Sequence, residues 1–357
     1  MNRITIPRIN NMHGHLRQEG LLEFLVPFAA QHCGYYVPMG NTKPPILTGE
    51  AALEYVRQIV NAAPVEYRDT WRPLPTIKIR EDTTGEIVRE AARVGILMGK
   101  LYPYARTTHA DDGIKDYMRL YRVFETMEAC GMIAAFHPEH PNLVWDDAEC
   151  EYAFWGIFES IYQLFPGLKM TWEHLSDTRV LPALLDMSDR VAFTITLHHM
   201  MIRDVEVNED SHNKCRPQAK RSADRAALRR IATSGHPKAI LGLDDAPWDE
   251  EHKDCARSCN GCWTMPNATE LLVHIFDEEE VLSNERGEAT EDGLKKLIAF
   301  SSRNGARLYG LPELQATITL ERGLCTIAHA YYNDPSSTDY VPFLAGTTLN
   351  WKIASSS

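Results

Sequence analysis

At 357 residues the chain is long for a single sandwich or bundle and of ordinary length for a (β/α)8 barrel with insertions or for two domains. A formal charge of −12 excludes a nucleic-acid surface, which needs clustered Lys and Arg; the one basic run, residues 214–230, reads as a solvated loop and helix face. No apolar run is long enough to span a bilayer, and the opening stretch MNRITIPRIN lacks the apolar core of a signal peptide, so a cytoplasmic protein is expected.

Taken in chain order, short apolar runs alternate with stretches of helical period. A first strand is expected in RITIPRIN. Further strands are expected at 34–40, 76–80, 95–103, 132–139, 169–175, 191–199 and 239–247. Between them, residues 50–63 place Leu53, Val56, Ile59 and Val60 on one helix face, and residues 114–131 form a helix closed by Gly131 as its C-cap. Strands alternating with helices imply parallel βαβ units, and about eight of them close a barrel. A doubly wound sheet is the alternative, but no G-x-G-x-x-G turn follows an early strand. The fold class expected is therefore α/β, a (β/α)8 barrel, with residues 1–357 as one domain.

The unusual residues fall at the ends of these runs. His13 and His15 follow the first, Asn41 the second, and Lys100 sits late in GILMGK; His137, His174, His199 and Asp244 each close a later run. A parallel barrel brings all strand C-termini to one face, so residues scattered along the chain become neighbours there. Imidazole and carboxylate together suit zinc. In His13-Gly14-His15 the period-2 pleat sends both rings to the same side, and the glycine allows close backbone approach. A protonated Lys100 would repel a cation. It fits only as a neutral or carbamylated amine, or as the partner of an acid such as Asp111 or Asp244.

Eight cysteines without a secretory signal read as reduced thiols. Cys255, Cys259 and Cys262, in CARSCNGC, have a spacing that suits zinc if a fourth ligand such as His252 joins them; a cysteine-rich loop without metal is the alternative. His109 and His198 are expected to be structural or solvent-exposed. Glu139 and Glu173, each close to a strand-end histidine, are candidates for orienting it.

The ordered series MHGHLR, PMGNTKPP, GKLYP, FHPE, WEHL, LDDAP, CNGC, YGLP and VPFLAGTTLNW resembles the zinc-dependent, free-standing bacterial dihydroorotases of the amidohydrolase superfamily, over nearly the whole chain. The resemblance implies two zinc ions bridged by N6-carboxylysine at Lys100. His13, His15 and Asp244 would complete one metal's ligands, and His137 and His174 the other's. It implies Asp244 as the catalytic proton carrier, Arg17 and Asn41 as carboxylate anchors, and Thr107 and Thr108 on a loop that closes over the substrate. It further implies a small anionic cyclic amide as substrate and a homodimer. Three positions depart from the family pattern. Trp248 stands for a histidine anchor, Arg216 for a leucine and Asn260 for an alanine. These departures leave open a cyclic amide or imide other than dihydroorotate, or a metal-binding partner subunit without activity.

Overall fold

The computed structural model describes residues 3–18, 20–284 and 288–354. Fourteen strands occur among them. β1 (Arg3–Pro7) pairs antiparallel with β11 (Thr317–Thr326), which pairs in turn with β14 (Thr348–Ile353). β12 (Tyr331–Asn333) and β13 (Thr338–Tyr340) form a hairpin. The rest run parallel: β2 (Ile9–Gly14), β3 (Cys33–Pro38), the two-residue β4 (Arg72–Pro73), β5 (Thr76–Ile79), β6 (Met98–Leu101), β7 (Ile133–Phe136), β8 (Met170–Trp172), β9 (Val191–Ile195) and β10 (Ala239–Leu241).

β5 to β10 follow one another in a single sheet, and β2, β3 and β4 form a second. The seam between β10 and β2 closes through Asp244 N–H to His13 O (2.8 Å) and His15 N–H to Asp245 O (3.0 Å). At the other seam Leu74 N–H reaches Tyr36 O at 2.7 Å. Setting β4 aside, the result is the expected α/β barrel of eight parallel strands. Its lower lumen is filled by Met12, Val37, Met98, Ile133, Ala135 and Ile240, with Leu308 and Tyr309 as a plug. Counting upward by two from these residues gives the inward-facing positions near the top. Met98 leads to Lys100, Ala135 to His137, and Ile240 through Gly242 to Asp244.

Four expectations need correction. RITIPRIN is two strands: its first half joins the antiparallel sheet outside the barrel, and the barrel begins only at Ile9. On the helix Gly49–Ala62 the buried face is Ala52, Tyr55 and Ile59, while Leu53 is exposed, because the helix packs closely on Ala91 and Val94 at Gly49. The helix expected at 114–131 runs as a tight turn, Tyr117–Leu120, and then Tyr121–Cys130; Asp116 accepts from Met118 N–H and starts it late, while Gly131 (φ 70°) ends it as expected. The run 191–199 leaves the strand at Ile195, where Thr196 caps a short helix, Leu197–Met201. His199 is therefore carried away from the strand-end face.

Candidate metal centre and substrate cleft

Over the top of the lumen the strand-end residues meet. His13 Nε2 and His15 Nε2 lie 3.3 and 2.9 Å from the same Asp244 Oδ1, as the alternating pleat requires. A Cβ at Gly14 would strike the Tyr36 hydroxyl and Asp245, so only glycine fits between the two histidines. The His13 and His174 rings are 5.0 Å apart and those of His174 and His137 4.6 Å apart. One donor atom each of His13, His174 and Asp244 lies within 4.8 Å of the others. His174 (φ 39°) and Asp244 (φ 46°) hold left-handed backbone, a strained conformation that turns their side chains inward as the chain leaves the strand.

Carboxylates stand behind the rings. Glu173 Oε2 is 2.7 Å from His13 Nδ1 and 3.0 Å from Thr194 Oγ1, with Thr171 on its other oxygen. Glu139 Oε2 is 2.7 Å from His137 Nε2. Each leaves the ring's second nitrogen for the centre, the arrangement that fixes tautomer and aim in metal sites. Burial would raise both carboxyls. His13 outweighs it at Glu173, and His137 with Arg216 holds Glu139 at about 2.

Lys100 Nζ is fully buried and has no hydrogen-bond partner, so the pairing with Asp111 or Asp244 does not occur. The amine lies 5.3 Å from the centroid of the Tyr102 ring. Burial pushes its amine down to about 8, against the pull of Glu173 and Asp244. His174 Nδ1 is likewise unpartnered, and burial, then His137 and Lys100, hold it well below the usual imidazole value. Four imidazoles, a carboxylate, and a buried amine with nothing to bind make a donor set that fits a divalent metal.

Beside the centre a narrow cleft is lined by Arg17, Asn41, Thr107, Thr108, Arg216 and Asn260, together with His15 and Asp244. Six of the seven expected substrate-side residues are thus brought together. Asn41 is buried, with Nδ2 on Thr108 O (3.2 Å) and its Oδ1 unpartnered. Trp248, the seventh, stands in the wider mouth, where the Arg17 guanidinium lies 4.5 Å from its ring and its Nε1–H donates to Asn260 O at 3.0 Å. Arg17 also donates to Pro247 O, at 3.1 Å from Nη2. Arg216 is neither solvent-facing nor unpaired: Nη1 sits 3.3 Å from Glu139 and 2.5 Å from Asp147. Its burial cost is offset by the carboxylate that also aims His137.

No family model matches the chain. Among curated proteins it is 33% identical to a dihydroorotase of Neisseria meningitidis serogroup C, over 99% of each chain. The chain belongs to the dihydroorotase family. Dihydroorotases are metal-dependent hydrolases of the C–N bonds of cyclic amides, and that is the enzyme class of this chain. Solved structures agree in fold. A dihydroorotase of Campylobacter jejuni is 27% identical with a TM-score of 0.85 over 99% of this chain and 97% of that one. A dihydroorotase of Saccharomyces cerevisiae, in complex with 5-fluoroorotic acid, is 24% identical with a TM-score of 0.88 over 99% of both.

Several groups at this dihydroorotase-like site escaped the sequence reading. Asn11 Oδ1 accepts from the backbone N–H of His13 (3.1 Å) and Leu243 (2.8 Å), and its Nδ2 donates to Asp245 at 2.8 Å, stitching the seam that carries three of the candidate ligands. Burial pushes Asp245 up to about 8, against Asn11 and Tyr36. The doubled aspartate in LDDAP was the one available signal. Of the two readings left open for CARSCNGC, a gathered donor cluster is not seen among the described residues: Cys255 is exposed, Cys262 is buried, and His252 is held by Asp249. His198, expected to be structural or exposed, is fully buried; His109 is half-buried, with Nδ1 3.0 Å from Asn41 O.

Proposed function

We propose that the cleft opens, and in reverse closes, the C–N bond of a carboxylate-bearing cyclic ureide or amide, with dihydroorotate and N-carbamoyl-aspartate as the best-fitting pair. The observation that carries the reading is Lys100: buried, unpartnered, and with an amine near 8 among imidazoles and Asp244. Such an amine has a lone pair available near neutral pH and takes up carbon dioxide, releasing a proton. The N6-carboxylysine would replace a repelled cation with a carboxylate able to hold metal. Together with it, His13, His15 and Asp244 would hold one zinc ion, and His137 and His174 the other. When bound, the metal pair supplies Lewis-acid polarisation of the scissile carbonyl and a lowered water pKa.

The chain's own groups do the positioning and the proton transfer. Asp244 takes the proton of the attacking water and returns it to the leaving nitrogen. Glu173 and Glu139 hold the tautomers of His13 and His137. Arg17 and Asn41 anchor the substrate carboxylate, the guanidinium as a planar fork. Thr107 and Thr108, beside the cleft, close over the substrate and exclude water. Arg216 and Asn260 bound the same cleft, and Trp248 acts through the Arg17 it stacks on.

The proposal takes residues 1–357 as one domain, supported by Ile4, Leu320 and Trp351 of the antiparallel sheet sharing a buried cluster with the barrel residues Ile77 and Phe136. It takes the working unit as a cytoplasmic homodimer. The exposed apolar run Leu143, Val144 and Trp145 supports an interface, and sedimentation reads the mass. No described helix is long and apolar enough to cross a membrane.

The deciding experiment assays dihydroorotate hydrolysis and N-carbamoyl-aspartate cyclisation with the zinc-loaded protein, and turnover in both directions is expected. If neither proceeds, the substrate assignment fails. Trp248 and Arg216 then become specificity residues for another cyclic amide or imide, a reading that the Trp248–Arg17 stack favours. Metal-bound protein inert toward a panel of cyclic ureides would instead identify a partner subunit.

A further inference from the structure

Behind the cleft wall lies a second donor cluster that the chemistry above leaves unused. His198 and His199, on the short helix Leu197–Met201, face Cys215; one donor atom of each lies within 4.8 Å of the others, and all three residues are buried. Neither ring nitrogen of His198 has a hydrogen-bond partner, nor does His199 Nδ1. His199 Nε2 lies 2.9 Å from Pro217 O and 3.7 Å from Cys215 Sγ. A fully buried imidazole always carries at least one N–H, and leaving it unsatisfied costs about 1–3 kcal/mol. At His198 the Cys215 thiol faces the ring but satisfies neither nitrogen in full. The Cys262 side chain, also fully buried, lies close enough to that thiol for the two to act on each other electrostatically.

We propose that His198, His199 and Cys215, with Cys262 as the fourth donor, form a closed structural site for a thiophilic divalent cation, zinc foremost, distinct from the strand-end pair. Two imidazoles and two sulfurs are a tetrahedral zinc set, and each ligating thiol releases its proton on binding. The site's position gives it a purpose. Cys215 immediately precedes Arg216, and Cys262 follows Asn260 and Gly261, so a cation here pins the two loops that form one wall of the substrate cleft. Those loops are already joined by Gly261 N–H to Lys214 O (2.8 Å). The buried Lys253 Nζ adds bonds to Lys214 O (3.2 Å) and Gly261 O (2.9 Å). The metal would add a side-chain tie to these backbone ones.

Cobalt substitution of the full chain separates the two sites, because the strand-end donors include no sulfur. A thiolate-to-cobalt charge-transfer band in the near ultraviolet therefore reports only a cysteine-ligated ion. The expected result is a band that saturates at one cobalt per chain, disappears in Cys215→Ser, weakens or disappears in His198→Gln, and is unchanged in Cys255→Ser. Zinc content should fall by one equivalent in Cys215→Ser. His198→Gln keeps the test open should Cys215→Ser fail to fold. Absence of the band in cobalt-saturated wild-type protein overturns the proposal, as does a band that survives His198→Gln at full strength or is lost with Cys255. A protein that shows the band yet turns over no dihydroorotate would overturn the dihydroorotate assignment and leave this site standing.

Discussion

At the strand ends each aimed imidazole answers to a carboxylate that is itself held from behind: His13 to Glu173, braced by Thr171 and Thr194, and His137 to Glu139, braced by Arg216. At the mouth of the cleft Arg17 and Trp248 are held by one another's loops. Arg17 lies on Trp248 and the Pro247 carbonyl, and Trp248 leans on the Asn260 carbonyl. The first region sits on short parallel strands whose register leaves no freedom of aim. The second sits on loops, where a stack or a carbonyl contact can be exchanged for a ligand contact. Chemistry that needs fixed donors is placed on the rigid part, and selection of the substrate on the adaptable part.

Four substitutions sharpen or break that contrast. Asp244→Asn removes the proton carrier, and steady-state kinetics on dihydroorotate should show kcat lower by about 10²–10⁴-fold. Glu173→Gln keeps the shape of its site but weakens the hold on His13. Metal titration should show zinc affinity or activity lower by about 10–100-fold. Arg216→Leu strips Glu139 of a charged partner, and thermal denaturation should register a loss of about 1–3 kcal/mol. Trp248→His frees Arg17 and adds an imidazole at the mouth; a rise of about tenfold in kcat/KM for dihydroorotate is expected, worth one charged hydrogen bond. Should Glu173→Gln prove silent while Trp248→His abolishes zinc binding, the division between a rigid centre and an adaptable rim is wrong.

The barrel and the meeting of His13, His15, Lys100, His137, His174 and Asp244 were legible because strand period and strand order are written along the chain. A residue two positions above a lumen-filling Met98 or Ala135 has to face the same lumen. The fate of His199 was not legible, since whether a strand ends at Ile195 depends on a single Thr196 side chain capping the next turn. Nor was the split of RITIPRIN: β1 is claimed by β11, which lies more than 300 residues away in the chain. Leu53 failed as a core residue for a related reason. Helical period gives the apolar stripe, but the neighbour's approach at Gly49 decides which edge of it is covered.

By itself the sequence determined the alternation of strand and helix, the residues at the strand ends, and hence a metal-dependent centre of the dihydroorotase kind. These depend on periodicity and on short motifs read within a few residues. Only the tertiary structure decided that Lys100 has no partner, that Arg216 is neutralised by Glu139 and Asp147, that Cys262 turns away from Cys255, and that His198 meets Cys215. Pairings of that kind join loops far apart in the chain. Which buried charge finds a counter-charge, and which donor is left bare, is fixed when the loops pack against one another, and no local pattern records it.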